Sequence, residues 1–442
     1  MEVKKVLEQA KKDKVKFITL QFTDLLGVIK EIIVPVEQLE DASRAGVWFD
    51  GSSVEGFARI QESDLFLKPD MATYAVVPWL TENGKTARLI CDIYRSDGKP
   101  SEGDPRFILK RAVAEAAKEG FEYNVGPEPE FYLFRTDSQK RTTPLDYGSY
   151  FDLSSHEGYM VIKKIVAALE NFGINVETSH HEVGFGQYEI DFHYGPCIDI
   201  ADKVLTLKYC AKKIAQMHNL HATFMAKPVM GKPGSGMHVH QSLFDTKAKT
   251  NAFYDKDHKY NLSKIAYNFI AGQIKHINAM CAILCPTVNS YKRLVSGFEA
   301  PVYVTWAAMN RSALLRVPKW FKAKSEAARI ELRCPDPSCN PYLAFAVMLK
   351  AGLDGIKNNL EPPEPVEENI YQLDGESLTQ RNIDILPTSL REALGALKKD
   401  EVLQATLGEH LFERYTDVKT KEWDEFKKQV TGWEIDTYLD TF

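Results

Sequence analysis

Arg329-Ile-Glu-Leu-Arg333 alternates charge with aliphatic bulk. Side chains on a β-strand point to opposite faces in turn, so Arg329, Glu331 and Arg333 face one way and Ile330 and Leu332 the other. The same alternation recurs along the chain. His238 and His240 flank Val239, Gln187, Glu189 and Asp191 share a face, and so do His180 with Glu182 and Glu128 with Glu130. Pro127 and Pro129 sit in the last strand and cannot donate to a ladder, which predicts that it begins at an edge or a bulge.

Any one of these strands fits an antiparallel sheet with one face in water. Together they carry six carboxylates (Glu128, Glu130, Glu182, Glu189, Asp191, Glu331) and three histidines, beside Gly-rich turns such as Lys232-Pro-Gly-Ser-Gly-Met237. If the faces converge, so many carboxylates repel one another and are costly to desolvate unless bound cations and arginines offset them. Oxygen-rich ligation favours Mg²⁺ or Mn²⁺ over zinc. Arg293, Arg311, Arg316, Arg329 and Arg333 crowd one stretch of the chain, and guanidinium forks bind carboxylate and phosphate. The combination points to transfer chemistry on an anionic substrate with a nucleotide as phosphate donor.

Around these strands the chain divides in two. Strand patterns at 15–22, 28–34, 73–78 and 86–93, with a helical stretch at 36–43, make a small α+β domain over residues 1–100. Ser96-Asp-Gly-Lys-Pro-Ser-Glu-Gly103 reads as a linker, and Asp104-Pro105 as an N-cap with proline at the first helical position. A larger domain over 104–442 follows. Helices are expected at 105–119, 155–172, 200–218, 262–281 and 337–358. Strands are expected at 122–134, 175–182, 187–192, 222–227, 236–244 and 329–334. An acidic Pro-rich loop at 361–368 leads to a mostly helical tail.

With 442 residues, 44% apolar and 26% charged, the composition is that of a globular protein. Lysine and arginine number 55 against 61 acidic residues, a net charge of −6 that offers no global attraction for nucleic acid or an anionic membrane. The charged start, Met1 to Lys12, lacks the apolar core of a signal peptide, and no apolar run reaches the roughly 20 residues of a membrane helix. The seven cysteines form no CxxC pair and read as reduced, packed thiols of a cytoplasmic protein. Gly84-Lys85-Thr86 ends like a phosphate loop, but Trp79 stands where that motif needs glycine. His181-Glu182 begins like a zincin helix, but Phe185 replaces the second histidine.

Eight strings in register then resemble one family: Phe49-Asp-Gly-Ser-Ser53, Gly126-Pro-Glu-Pro-Glu130, His180-His-Glu-Val183, Gly234-Ser-Gly-Met-His238, Asn289-Ser-Tyr-Lys-Arg293, Glu299-Ala-Pro301, Asn310-Arg-Ser312 and Arg329-Ile-Glu-Leu-Arg333. They are similar to those of type I glutamine synthetase, in its unadenylylated, alpha-type subclass. The resemblance implies a β-grasp N-terminal domain and an α/β catalytic domain whose antiparallel sheet forms an open funnel. It implies a dodecamer of two stacked hexamers with active sites between subunits. The implied reaction joins ammonium to the γ-carboxylate of L-glutamate through γ-glutamyl phosphate, with ATP as co-substrate and two or more Mg²⁺ or Mn²⁺ ions.

Residue by residue, Glu130, Glu182 and Glu189 match a first metal site, and Glu128, His238 and Glu331 a second. Arg293, Arg311, Arg333, Gly234 and Tyr150 match glutamate and ammonium contacts. Glu177, Tyr194, His240, Ser242, Arg316 and Arg329 match nucleotide contacts. Asp50 resembles the aspartate lent by a neighbouring subunit, and Glu299 the carboxylate of a closing flap. Arg59 resembles an arginine linked to glutamine feedback; regulation by small partner proteins is a further implication. Pro233 and Glu326 depart from the pattern. Tyr371 matches a modifiable tyrosine, here read as structural. Two rivals are a ligase for a larger amine and a silent scaffold; the compact ammonium site of Asp50 and Tyr150 opposes the first, and the intact metal positions oppose the second.

Overall fold

The computed structural model describes residues 2–54, 64–137, 142–153, 155–308, 310–319, 325–368, 370–372, 375–381 and 383–442. The N-terminal part holds α1 (Val3–Asp13), β1 (Val15–Thr23), β2 (Ile29–Pro35), α2 (Leu39–Ala45), β3 (Val47–Asp50), β4 (Asp64–Val76) and β5 (Lys85–Arg95). They form one mixed sheet in the order β2-β1-β5-β4-β3, with β1 and β5 parallel and the other pairs antiparallel. Val6 and Ala10 of α1 and Leu39 of α2 close its apolar face over Ile18, Leu20, Leu67 and Leu89. Five strands stand where four were expected. The extra one, β3, is only four residues long, with Trp48 and Asp50 exposed, too short for alternation to register. β4 starts at Asp64 rather than residue 73.

The larger part begins at α3 (Pro105–Lys118), where the Asp104 carboxylate accepts from the Arg106 amide as the linker reading requires. β6 (Phe121–Thr136) is its spine. The other strands are β7 (Thr142–Pro144), β8 (Val176–His181), β9 (Gln187–Phe192), β10 (Gly195–Pro196), β11 (Leu220–Thr223), β12 (Met237–Asp245), β13 (Thr250–Asn251), β14 (Trp306–Ala307), β15 (Leu315–Arg316) and β16 (Ile330–Leu332). The main path runs β14-β15-β16-β12-β6-β9-β8. Helices α4 (His156–Asn171), α5 (Cys197–Met217), α6 (Lys264–Leu284) and α7 (Pro341–Lys357) supply most of the covering layer. The tail is helical as expected: α8 (Gly375–Gln380), α9 (Leu390–Leu397), α10 (Glu401–Leu407), α11 (Glu409–Phe426) and α12 (Gly432–Tyr438). Among the described residues no helix is long and apolar enough to cross a membrane. All seven cysteines are free and buried.

The two parts are joined through charge and a plug. The buried Arg106 guanidinium reaches Asp92 of β5 at 2.7 Å, Asp70 of β4 at 2.9 Å and Asp202 of α5 at 2.9 Å. Leu25, in the turn after β1, is fully buried in the core of the larger part, and Asn340, the N-cap of α7, donates to the Asp24 and Leu25 carbonyls. That cap also explains why α7 begins at Pro341 and not at 337. The strand expected at 222–227 stops at Thr223 because the chain then turns into side-chain contacts, with the Lys227 amide bonded to Asn289 Oδ1 at 2.8 Å.

Pro127 and Pro129 do not mark a sheet edge. β6 lies in the interior of the sheet, and both prolines pair with β12, opposite Val239 and Met237. The Glu130 amide bonds the Gly236 carbonyl at 3.0 Å, so amides of even-numbered residues face β12 and those of odd-numbered ones face the other side. On that other side β10 pairs with residues 124 and 125, and β9 only from 130 onward. The prolines therefore fall in a break of the ladder, where no partner strand asks for an amide.

Candidate active site

Register gathers the alternating charges into two rows. On one side of β6, His238 of β12 stands opposite Glu128, His240 opposite Glu331 of β16, and Glu331 opposite Arg316 of β15. On the other side, Glu189 of β9 stands opposite Glu130, and His180 of β8 opposite Glu189. A cavity of about 430 Å³ opens over these rows, lined by the carboxylates of Glu128, Glu130, Glu182, Glu189 and Glu331 with His238. Tyr150, Gly234, Arg293, Glu299, Arg311 and Arg333 line the same cavity, as does Arg316. A second cavity of about 500 Å³ shares Glu128 and is lined by Glu177, Tyr194, His240, Ser242 and Arg329. Arg316 thus sits with the carboxylates and not with the other expected nucleotide contacts. A larger cavity of about 890 Å³ lies between the turn after β1 and α5, and none of the candidate residues lines it.

The two rows differ in charge balance. In the first, Glu128 Oε1 lies 2.8 Å from His240 Nε2, and Glu128 Oε2 3.5 Å from His238 Nδ1. Glu331 lies 3.7 Å from His238 Nδ1 and 3.3 Å from Arg333 Nε, and accepts from Arg316 Nε. Burial works to raise both carboxylates, yet the histidines and arginines hold Glu128 and Glu331 below the usual range. Burial and the Arg333 charge push His238 toward its neutral form, the form that can bind a metal.

In the second row, among the described residues, no arginine or lysine pairs with the carboxylates, and His180 alone approaches Glu182 and Glu189. Burial, then the charge of Glu182, pushes Glu130 up to about 8 despite Arg293. Burial, then Asp191 and Glu130, raises Glu189 well above its ordinary value, and burial lifts Asp191 to about 6. Glu130 Oε2 accepts from Gln187 Nε2 at 2.7 Å and from the Gly236 amide at 3.0 Å. His180 Nε2 lies 2.9 Å from Glu182 and 3.7 Å from Glu189. In these rows, the donor sets that lie within 4.8 Å of one another are His180–Glu182–Glu189 and Glu128–His240–Glu331. Against the expected sets, His180 joins Glu182 and Glu189, and His240 joins Glu128 and Glu331, which His238 also approaches at 3.5 and 3.7 Å. Glu128 and Glu182 have turned to an imidazole, Glu130 to amides and Glu331 to a guanidinium. Buried, oxygen-rich and short of positive charge, the row fits a hard divalent cation.

Two family models match the chain: glutamine synthetase, catalytic domain, over residues 102–438, and glutamine synthetase, beta-Grasp domain, over 14–96. The chain belongs to the glutamine synthetase family. It is 49% identical to the glutamine synthetase of Clostridium saccharobutylicum over 99% of this chain and 98% of that one. It is 48% identical to that of Thermotoga maritima over the same shares. Among solved structures, a GmaS/ADP complex superimposes with a TM-score of 0.88 at 32% identity, covering 98% of this chain and 99% of that one. Plasmodium falciparum glutamine synthetase gives 0.87 at 27% identity, covering 99% of each. The five-stranded sheet is the β-grasp domain of the family, and the two rows lie in its catalytic domain.

On the substrate side of this glutamine synthetase fold, Arg293 is committed to the backbone. Its Nη1 donates to the Cys334 and Pro335 carbonyls at 2.8 and 3.2 Å, and its Nη2 to the Arg333 carbonyl at 3.1 Å. A Cβ on Gly234 would come within 2.4 Å of the Ala226 carbonyl and one on Gly236 within 2.5 Å of Arg293 Nη2, so both glycines are required by close approach. Pro233, the departure from the family pattern, has its carbonyl bonded by Tyr132 Oη at 2.7 Å. Arg333 Nη1 is buried without a hydrogen-bond partner among the described residues, an orphan donor for an incoming anion. Arg311 is exposed at the mouth.

Glu299 adopts a left-handed backbone (φ 59°) just after Gly297 (φ 92°), a strained state for a non-glycine residue. The segment is anchored where Tyr371 Oη donates to the Ala300 carbonyl at 2.7 Å and Lys227 Nζ sits 3.6 Å from the Phe298 ring centre. Asp50 is exposed, its carboxylate held by the Ser52 amide at 2.9 Å and Ser53 Oγ at 3.0 Å, and it does not line its own chain's cavity. Arg59 lies outside the described residues. Sequence reasoning gave Gln187 no role, although it shares a face with Glu189 and ties Glu130 to the Gly234 carbonyl at 3.2 Å.

Proposed function

We propose that this chain ligates ammonium to L-glutamate through γ-glutamyl phosphate, and that the assigned side chains divide the work as follows. The observation that carries the reading is the convergence of Glu128, Glu130, Glu182, Glu189 and Glu331 with Arg311, Arg316 and Arg333 in one cavity of about 430 Å³. Glu130, Glu182 and Glu189 would hold one Mg²⁺ or Mn²⁺, and Glu128, His238 and Glu331 a second, with His180 and His240 beside them. When bound, such ions neutralise charge on the phosphoryl group in transfer. Arg333 and Gly234 hold glutamate, with Arg293 as the brace behind them. Arg329, Ser242, Glu177 and Tyr194 hold the nucleotide end, and His240 and Arg316 the phosphate end.

The γ-carboxylate oxygen attacks the γ-phosphorus, ADP leaves, and Arg311 meets the charge on the phosphoryl oxygens. Ammonium, beside Tyr150, loses a proton to Asp50 of a neighbouring copy and attacks the acyl carbon. Glu299 accepts a second proton from the adduct as phosphate leaves. Closure of the flap at 296–301 keeps water from the acyl phosphate. The exposure of Asp50, which does not line its own chain's cavity, supports an assembly with shared sites, which we assign as a dodecamer. The unadenylylated type I alpha-type subclass, a cytoplasmic location, domain limits of 1–100 and 104–442, and Arg59 as a feedback residue belong to the same reading.

The test is product formation by the purified oligomer with glutamate, MgATP and ammonium. Glutamine and phosphate should appear in equal amounts; products with putrescine or ethanolamine but none with ammonium would overturn it. Asp50→Ala should abolish glutamine formation while retaining part of the glutamate-dependent phosphate release. Equal loss of both would remove Asp50 from the ammonium step.

A further inference from the structure

Behind the wall that carries Arg333, three thiols meet. Cys281 stands one turn before the end of α6, Cys285 caps that helix, and Cys334 lies two residues past β16. Each is fully buried, and their three Sγ atoms all lie within 4.8 Å of one another. Among the described residues, none of the other four cysteines joins such a group. Cys285 Sγ donates to the Cys334 carbonyl at 3.2 Å, and the same carbonyl accepts from Arg293 Nη1 at 2.8 Å.

The spacing discriminates between uses of the thiols. A disulfide joins two sulfurs at about 2.05 Å and leaves the third idle. Three sulfurs around one ion at about 2.3 Å are about 4.0 Å apart in a trigonal plane, which three-way convergence within 4.8 Å reaches with shifts of at most about 0.8 Å. Thiolates select soft d¹⁰ ions over Mg²⁺. A divalent ion with three thiolates carries a net charge of −1, and the Arg293 guanidinium on the Cys334 carbonyl supplies the opposing charge. The Cys281 thiol is already drawn below its ordinary value, first by the S–H of Cys285 and then by that of Cys334.

We propose that Cys281, Cys285 and Cys334 form a trigonal site for one thiophilic divalent d¹⁰ cation of the zinc class, separate from the carboxylate rows. Binding forms three metal–sulfur bonds and releases one proton for each thiol still protonated, with no change of oxidation state, so affinity rises with pH.

The experiment is a Cd²⁺ titration of the reduced, metal-stripped full-length oligomer, with saturating Mg²⁺ present to fill the carboxylate rows. A thiolate-to-cadmium charge-transfer band should saturate at one equivalent per chain, with two to three protons released. The band should vanish in Cys281→Ala and in Cys285→Ala, whose folding is checked by thermal melting. Absence of the band in the unmodified protein after equilibration, or its persistence in both variants, would overturn the site. The unmodified protein decides the first point even if a variant fails to fold.

Discussion

Glu128 and Glu130 are two residues apart on one strand, share one face and line one cavity, yet their carboxyl groups are driven in opposite directions. Glu128 looks toward two histidines, with Arg316 and Arg333 just beyond at Glu331, and is held ionised. Glu130 looks toward Glu182 and Glu189, and the nearest arginine is occupied by backbone carbonyls. Burial is common to both, so it does not separate them. The partner set does. One row is balanced by fixed cations of the chain itself, whereas the other reaches balance by taking up protons or by binding an ion from solution.

The sharpest way to break this contrast is Glu331→Ala. It leaves Arg316 and Arg333 facing one another with no anion between them, and loss of one partner of a buried pair costs about 3–5 kcal/mol. A large fall in stability to urea and loss of metal-dependent phosphoryl transfer are expected; unchanged metal dependence would remove Glu331 from the metal-holding group.

Glu130→Gln probes the other row. Activity should be lost, while the metal-free protein melts at the same temperature or higher, because a repelled carboxylate has been removed. The pH dependence follows with its sign. Glu130 holds its proton up to about 8 in the folded chain but only to its ordinary 4.5 when unfolded. The metal-free protein therefore loses stability as pH rises from about 4.5 to about 8, and Mg²⁺ affinity rises over the same window. Glu130→Gln should flatten both slopes, and chemical denaturation at a series of pH values reads them.

Gln187→Ala is a gentler version of the same test. It frees Glu130 from its amide partner and cuts the tie to Gly234, with an expected 10–100-fold loss of metal affinity, in the usual range for such supporting groups. Isothermal titration should detect it; unaltered affinity would leave Gln187 a packing residue. Smallest is Tyr371→Phe, a residue that lines neither cavity. Losing its bond to the Ala300 carbonyl costs about 1 kcal/mol and should raise the KM for glutamate a few-fold with little change in metal affinity.

Much of this was legible before the fold was known. Period-two alternation assigns Glu128, Glu130, Glu189, His238, His240 and Glu331 to faces without any coordinates, and those faces do line the cavities. Register was not legible, because nothing in the order of letters says that His180 falls opposite Glu189. The regrouping of His180 and His240 among the carboxylates was therefore unavailable. Glu182 lies one residue past β8, so its approach depends on a turn as well as on the strand. Pro127 and Pro129 misled for a related reason: lacking amides, they argue for an unpaired side, and a strand can be unpaired over four residues while interior along the rest. Gln187 was missed because a neutral amide on a charged face carries no signal until its partners are seen.

That short interruption at residues 126–129 has an architectural meaning. Glu128 belongs to two chambers, and on the proposed assignment of one to the amino acid and the other to the nucleotide a polyphosphate lies across the boundary between them. A continuous sheet would be a closed partition. Rings instead of N–H groups at two successive outward positions deny any passing segment, from this chain or another, the means to zip the doorway shut.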